Sequence, residues 1–112
     1  AILTHEGRII STGYNGAPIG LPHCTEIGCL EGPDSGCIRT VHAETNVIAF
    51  AAKYGVSTEG STLYCTSSPC LTCAKLIINS GVKEVVYKRD YRDPAGKQLL
   101  VQAGVKVTKY AV

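Results

Sequence analysis

The chain has 112 residues and a formal net charge of +2, enough for one domain with a single core. Hydrophobic residues make up 45%, charged residues 18%, and mean hydropathy is +0.10, which excludes a disordered or low-complexity chain. Apolar runs of only a few residues exclude a membrane helix of ~20, and the modest charge, with no basic block, gives no nucleic-acid or membrane-surface signal.

Residues 1–4 and 8–13 are short apolar runs flanking His5-Glu6-Gly7, a turn signal, and are expected to form a hairpin. Residues 13–36 read as a long loop with six glycines, three prolines and two cysteines. A structureless loop of that length is uncommon in a compact domain unless something functional holds it. The spacing of Val41, Val47, Ile48, Ala51 and Ala52 predicts a helix over 41–53, stopped by Gly55. Residues 62–66 read as a strand. Pro69 then opens a second helix through Ala74, Leu76, Ile77 and Ile78, ended by Asn79-Ser80-Gly81. A strand over 84–87, a short helix over 97–103 closed by Gly104, and a last strand over 105–110 complete the chain. Helices that each lead into a strand are the signature of βαβ units and parallel pairing. The expected fold class is therefore α/β: a hairpin, then α-β-α-β-α-β around one mixed sheet, as a single domain over 1–112.

The six cysteines are Cys24, Cys29, Cys37, Cys65, Cys70 and Cys73. The chain opens on Ala-Ile-Leu-Thr, with no signal-peptide pattern, and its cysteine fraction lies below the roughly 8–10% of disulfide scaffolds. Three cysteines crowd the Gly-rich loop and two form C-x-x-C, an arrangement that favours metal ligation over disulfides and a reducing, cytoplasmic compartment. Cys65, in a strand, reads as a buried apolar residue.

Two segments carry the chemistry: His42-Ala43-Glu44 at one helix start and Pro69-Cys70-Leu71-Thr72-Cys73 at the next. Residues three apart share a helix face, so Cys70 and Cys73 can grip one ion. Residues two apart do not, so His42 and Glu44 cannot both be ligands from one helix face. One His and two Cys leave tetrahedral zinc an open position for water, which a closed structural site would not have. Two thiolates neutralise the dication, and two helix N-termini favour the anions gathered there. Zinc brings the pKa of water down toward 7, and Glu44 can take and deliver the proton.

The pair H-x-E and P-C-x-x-C is the signature of zinc nucleobase deaminases. Together with Gly13-Tyr14-Asn15-Gly16, Arg39-Thr40-Val41-His42-Ala43-Glu44, Ser68-Pro69-Cys70-Leu71-Thr72-Cys73-Ala74-Lys75, residues 80–87 and Asp90-Tyr91, it resembles the deoxycytidylate (dCMP) deaminase family over nearly the whole chain. The resemblance implies a three-layer α/β/α cytidine deaminase-like fold around a mixed five-stranded sheet. It further implies conversion of dCMP to dUMP with release of ammonia, a homo-oligomer, and dCTP and dTTP as effectors. By position, His42, Cys70 and Cys73 would hold Zn²⁺, and Glu44 would protonate ring N3 and the leaving amine as water attacks C4. Asn15 and Ala43 would face the nucleotide, although Asn15 before Gly16 also suits a plain turn. No membrane partner and no nucleic acid are expected.

A 5′-phosphate needs cations. Lys88, Arg89 and Arg92 lie just past the predicted strand end, where α/β ligand sites gather, but Asp90 and Asp93 alternate with them and make a self-paired solvated face equally compatible. Tyr91 suits either nucleotide or core packing. His23, Cys24, Cys29 and Cys37 are plausible ligands of a second, structural Zn²⁺, which some dCMP deaminases carry. Relatives with that zinc can draw a ligand from an N-terminal helix before the first strand, a segment expected to be missing here. Other readings are a nucleoside-level cytidine deaminase, a tRNA-adenosine deaminase, which would want a more basic surface, and a non-catalytic zinc-binding module.

Overall fold

The computed structural model describes residues 1–23, 26, 28 and 40–110, so Cys24, Cys29 and Cys37 lie outside the described residues. Strands β1 (Ile2–His5) and β2 (Arg8–Thr12) form the expected hairpin. Its turn residues Glu6 and Gly7 have φ of 51° and 76°, the left-handed pair whose twist matches that of the flanking strands. Helix α1 (Ala43–Lys53), β3 (Thr62–Ser67), α2 (Leu71–Asn79), β4 (Glu84–Arg89), α3 (Ala95–Gln102) and β5 (Lys106–Lys109) follow.

The five strands lie in the order β2-β1-β3-β4-β5. β1 is antiparallel to both neighbours, whereas β3, β4 and β5 are parallel, each crossover carrying one helix. Leu63, Val85 and Val107 stand in register on one face, with Leu3 beside Leu63. That face packs against Val47 of α1, Cys73, Ala74 and Ile77 of α2 and Leu100 of α3. Among the described residues all three helices cover this one face. On the other, strand alternation places Ile2, Ile9 and Tyr64, and all three are exposed.

Boundaries moved for identifiable reasons. Val41 is not helical: it exchanges hydrogen bonds with Gly16 (2.7 and 3.2 Å), closing the base of the long loop, and α1 starts after His42. Pro69 likewise precedes α2, with Cys70 still extended at ψ 170°. β4 runs two residues beyond the expected strand, to Arg89, because Arg89 pairs with Ser67 and its carbonyl accepts from the Ser68 amide at 2.8 Å. Lys88 and Arg89 are thus strand residues rather than loop residues, and alternation turns Lys88 to the face away from the helices. α3 begins at Ala95, whose amide donates to Asp93 Oδ1 at 3.0 Å. That start signal was readable in the sequence and the apolar spacing masked it.

Asp90 anchors the β4 exit, accepting from Lys109 Nζ at 2.7 Å, from Lys97 Nζ at 3.0 Å and from the Tyr87 hydroxyl at 3.0 Å. These donors, Lys109 first, hold its carboxyl well below the usual carboxylate range. A carboxyl depressed in the folded state contributes stability above its ordinary 3.8 and loses it as pH falls below. Asp90→Asn is therefore expected to melt somewhat below the parent at neutral pH and to converge with it as pH falls below 3.8, which flattens the acid limb, checked by thermal melts across pH.

Candidate active site

His42 sits one residue before α1, in extended conformation (φ −63°, ψ 149°), so its ring leaves the chain before the helix begins. This resolves the spacing problem of the H-x-E motif: His42 and Glu44 are not on one helix face. Cys70 occupies the same position before α2, and Cys73 lies in that helix's first turn. The contact between α1 and α2 brings His42 Nδ1 within 3.4 Å of Cys70 Sγ and 3.5 Å of Cys73 Sγ. All three atoms lie within 4.8 Å of one another.

Those distances test the metal directly. Zinc bonds of ~2.3 Å to sulfur and ~2.0–2.1 Å to nitrogen at the tetrahedral angle place S and N about 3.5 Å apart. The observed separations are one face of such a tetrahedron, and among the described residues this is the group of such side chains that could hold a metal. Proton affinities agree. The Cys73 thiol hydrogen-bonds the Cys70 sulfur and His42 lies against it, so the pair yields its first proton well below the ordinary cysteine range. The second is held well above it by the neighbouring sulfur and by burial. A dication removes that opposition by neutralising both sulfurs. Cys65 is a different kind of cysteine, since burial pushes its thiol up to about 12 and keeps it a neutral core group, as expected.

Glu44 is the second residue of α1 and is largely withdrawn from water. Burial raises its carboxyl above the ordinary 4.5, against the hydrogen bond with Cys73 and the nearby His42 that pull it down. A carboxyl so placed titrates closer to neutrality, as a group that both accepts and returns a proton requires.

The ligand group opens on a cavity of about 140 Å³ lined by Asn15, His42, Ala43, Glu44, Ser67 and Tyr91, among others. Asn15 Oδ1 accepts from the Ala43 amide at 2.7 Å and so caps α1, a role its position before Gly16 does not disclose. Tyr91 is held by its amide, which donates to the buried Ser68 hydroxyl at 2.7 Å. Arg92 lies 4.8 Å over the ring of Tyr91, which lines the cavity, but Arg92, like Arg89 and Lys88, is exposed and does not itself line it. Thr66, Ser67 and Ser68 also line it and were not anticipated. Their signal was their place at the carboxyl end of a parallel strand, directly before the first sulfur. His23 Nδ1 accepts from the Ala17 amide at 3.4 Å, and its three candidate partners lie outside the described residues.

α3 buttresses the ligand segment. Gly96 in its first turn lies against Pro69 and Cys70, where an added Cβ would meet the Pro69 carbonyl and lie 2.7 Å from that of Cys70. Gly96→Ala is expected to destabilise the protein by about 1–3 kcal/mol and to loosen metal retention, read from thermal melts and chelator competition.

Residues 1–89 match the family described as the cytidine and deoxycytidylate deaminase zinc-binding region. The chain is 44% identical over 108 residues to ComE operon protein 2 of Bacillus subtilis, covering 96% of this chain and 57% of that protein. It is 35% identical to the deoxycytidylate deaminase of Enterobacteria phage T2, covering 96% of this chain and 78% of the relative. Among solved structures, dCMP deaminase from the cyanophage S-TIM5 in complex with dCMP and dUMP superposes with a TM-score of 0.85 at 39% identity, covering 97% of this chain and 78% of that one. The chain therefore spans little more than half the length of the Bacillus relative and about three-quarters of the other two.

Proposed function

The chain belongs to the cytidine and deoxycytidylate deaminase family, and from that premise we propose that it hydrolyses dCMP to dUMP, consuming water and releasing ammonia. The observation that carries this reading is that His42, Cys70 and Cys73 stand at separations suited to zinc, with Glu44 in the cavity that His42 and Cys70 line. His42 Nδ1 and the two sulfurs would hold Zn²⁺. When bound, zinc supplies a Lewis acid that makes water nucleophilic near neutral pH. Glu44 accepts the proton of the attacking water and returns it to ring N3 and then to the leaving amine of C4. Its raised proton affinity fits both directions of transfer.

A cavity of about 140 Å³ admits one six-membered ring, since apolar cavities of ~150 Å³ take up benzene, so the base enters it and the sugar and phosphate lie outside. Asn15, Ala43 and Tyr91 all line this cavity and meet the nucleotide there. Both arginines are exposed, and Arg92, stacked on the cavity residue Tyr91, is the better placed of the two for the 5′-phosphate.

The remaining parts of the proposal rest on the family resemblance: one deaminase domain over 1–112, a cytoplasmic homo-oligomer, dCTP and dTTP as effectors, and no nucleic-acid substrate. A second, structural zinc would take His23, Cys24, Cys29 and Cys37. Among the described residues no helix is long and apolar enough to cross a membrane.

The test measures zinc per chain alongside ammonia release from dCMP, deoxycytidine and cytidine. Release from dCMP alone supports the nucleotide-level reading, and equal release from deoxycytidine moves the substrate to the nucleoside. Zinc without release from any substrate favours a non-catalytic zinc-binding role. That second reading draws on the 44% identity to ComE operon protein 2, a name that carries no reaction.

A further inference from the structure

Thr45, the third residue of α1, carries its hydroxyl across the α1–α2 contact to within 3.3 Å of Cys73 Sγ. A threonine in a helix can turn its hydroxyl to the carbonyl four residues back. Here that carbonyl belongs to Val41, and it already accepts from the Gly16 amide at 3.2 Å. Cys73 is 1% exposed, so water cannot solvate its sulfur. A metal-bound thiolate has no proton to offer, so in the loaded protein the Thr45 O–H must be the donor.

We infer that Thr45 is a positioning residue for the zinc centre: its hydroxyl donates to the Cys73 thiolate, fixes the direction of that ligand and limits the negative charge the sulfur passes to the metal. The inference rests on Cys73 being a zinc ligand, as in the proposed function, and does not require that dCMP be the substrate. A hydrogen bond to a thiolate draws electron density away from the sulfur–metal bond, which keeps the metal a stronger Lewis acid. It also holds the buried sulfur in one rotamer, so less ordering is left to be done when the ion enters.

Two variants separate this role from simple packing. Thr45→Val keeps the shape and removes the donor, while Thr45→Ser keeps the donor and removes the methyl. The probe is cobalt(II) loaded in place of zinc, read by its sulfur-to-cobalt charge-transfer absorption. Thr45→Val is expected to move that band to lower energy, because an unrelieved thiolate gives up its electron more easily, and Thr45→Ser to restore the parent band. In chelator competition, Thr45→Val is expected to bind zinc about 10-fold more weakly, with Thr45→Ser within about twofold of the parent. An unchanged band and affinity in Thr45→Val overturn the inference. So does a Thr45→Ser protein that shifts as far as Thr45→Val, since the methyl would then be what matters. A parent protein with no sulfur-to-cobalt band would remove Cys73 from the ligand set and the inference with it. Absence of dCMP turnover together with the expected spectra would overturn the substrate and leave Thr45 in its role.

Discussion

Glu44→Gln is expected to retain zinc and to lower ammonia release from dCMP by about 10³- to 10⁴-fold, the upper part of the range for a general acid–base group. The amide occupies the same space at the start of α1 but can neither take the proton of the attacking water nor return it to the base. Metal content is the control that matters. His42, Cys70 and Cys73 can hold a metal ion without Glu44, so under the proposed role zinc per chain should equal that of the parent. A variant that loses zinc would make Glu44 a ligand and overturn its proposed role. The same substitution has a stability signature in the zinc-free protein. Burial raises the Glu44 carboxyl above 4.5, so the folded state holds that proton more tightly than the unfolded chain. Its contribution therefore turns unfavourable as pH rises past 4.5, and zinc-free Glu44→Gln is expected to melt above the zinc-free parent at neutral pH.

Cys73→Ala is expected to abolish both activity and metal binding at this centre. The sulfur is 1% exposed and belongs to the core cluster with Ala74 and Ile77, so the variant leaves only a small void where it was. The larger effect is linkage. A metal that binds only the folded chain adds stability that grows with its concentration, about 4 kcal/mol at a thousand times its Kd. The parent should thus melt higher as free zinc is raised, and Cys73→Ala should lose that increment. If the loop cysteines hold a second zinc, stoichiometry in the variant falls by one rather than to none. A variant that keeps full zinc and its zinc-dependent melting would show that the ion sits elsewhere.

Much of this molecule is written locally. The left-handed Glu6-Gly7 turn, the apolar spacing of Val47 and Ala51, the Gly81 and Gly104 stops and the alternation of helix with strand all involve neighbours within a few residues. Sequence periodicity records such features directly. The ligand group was legible for the same reason: Cys70 and Cys73 share one turn, and His42 and Glu44 straddle one helix start.

What the sequence left open depends on contacts between distant segments. Asn15 caps α1 from 28 positions away, and Thr45 reaches Cys73 across the same separation. No local pattern announces either, because each exists only when the loop base closes on Val41 and α1 lies against α2. The status of Lys88 and Arg89 was decided likewise, by the pairing of Arg89 with Ser67. So was the place of Tyr91, whose amide the buried Ser68 hydroxyl holds at the cavity wall. The sequence by itself determined the elements and the metal-ligand chemistry, because both arise from side chains a turn or less apart. Only the tertiary structure decided which groups line the cavity and lie against the metal-ligand side chains, since packing the helices onto one sheet face creates those distances.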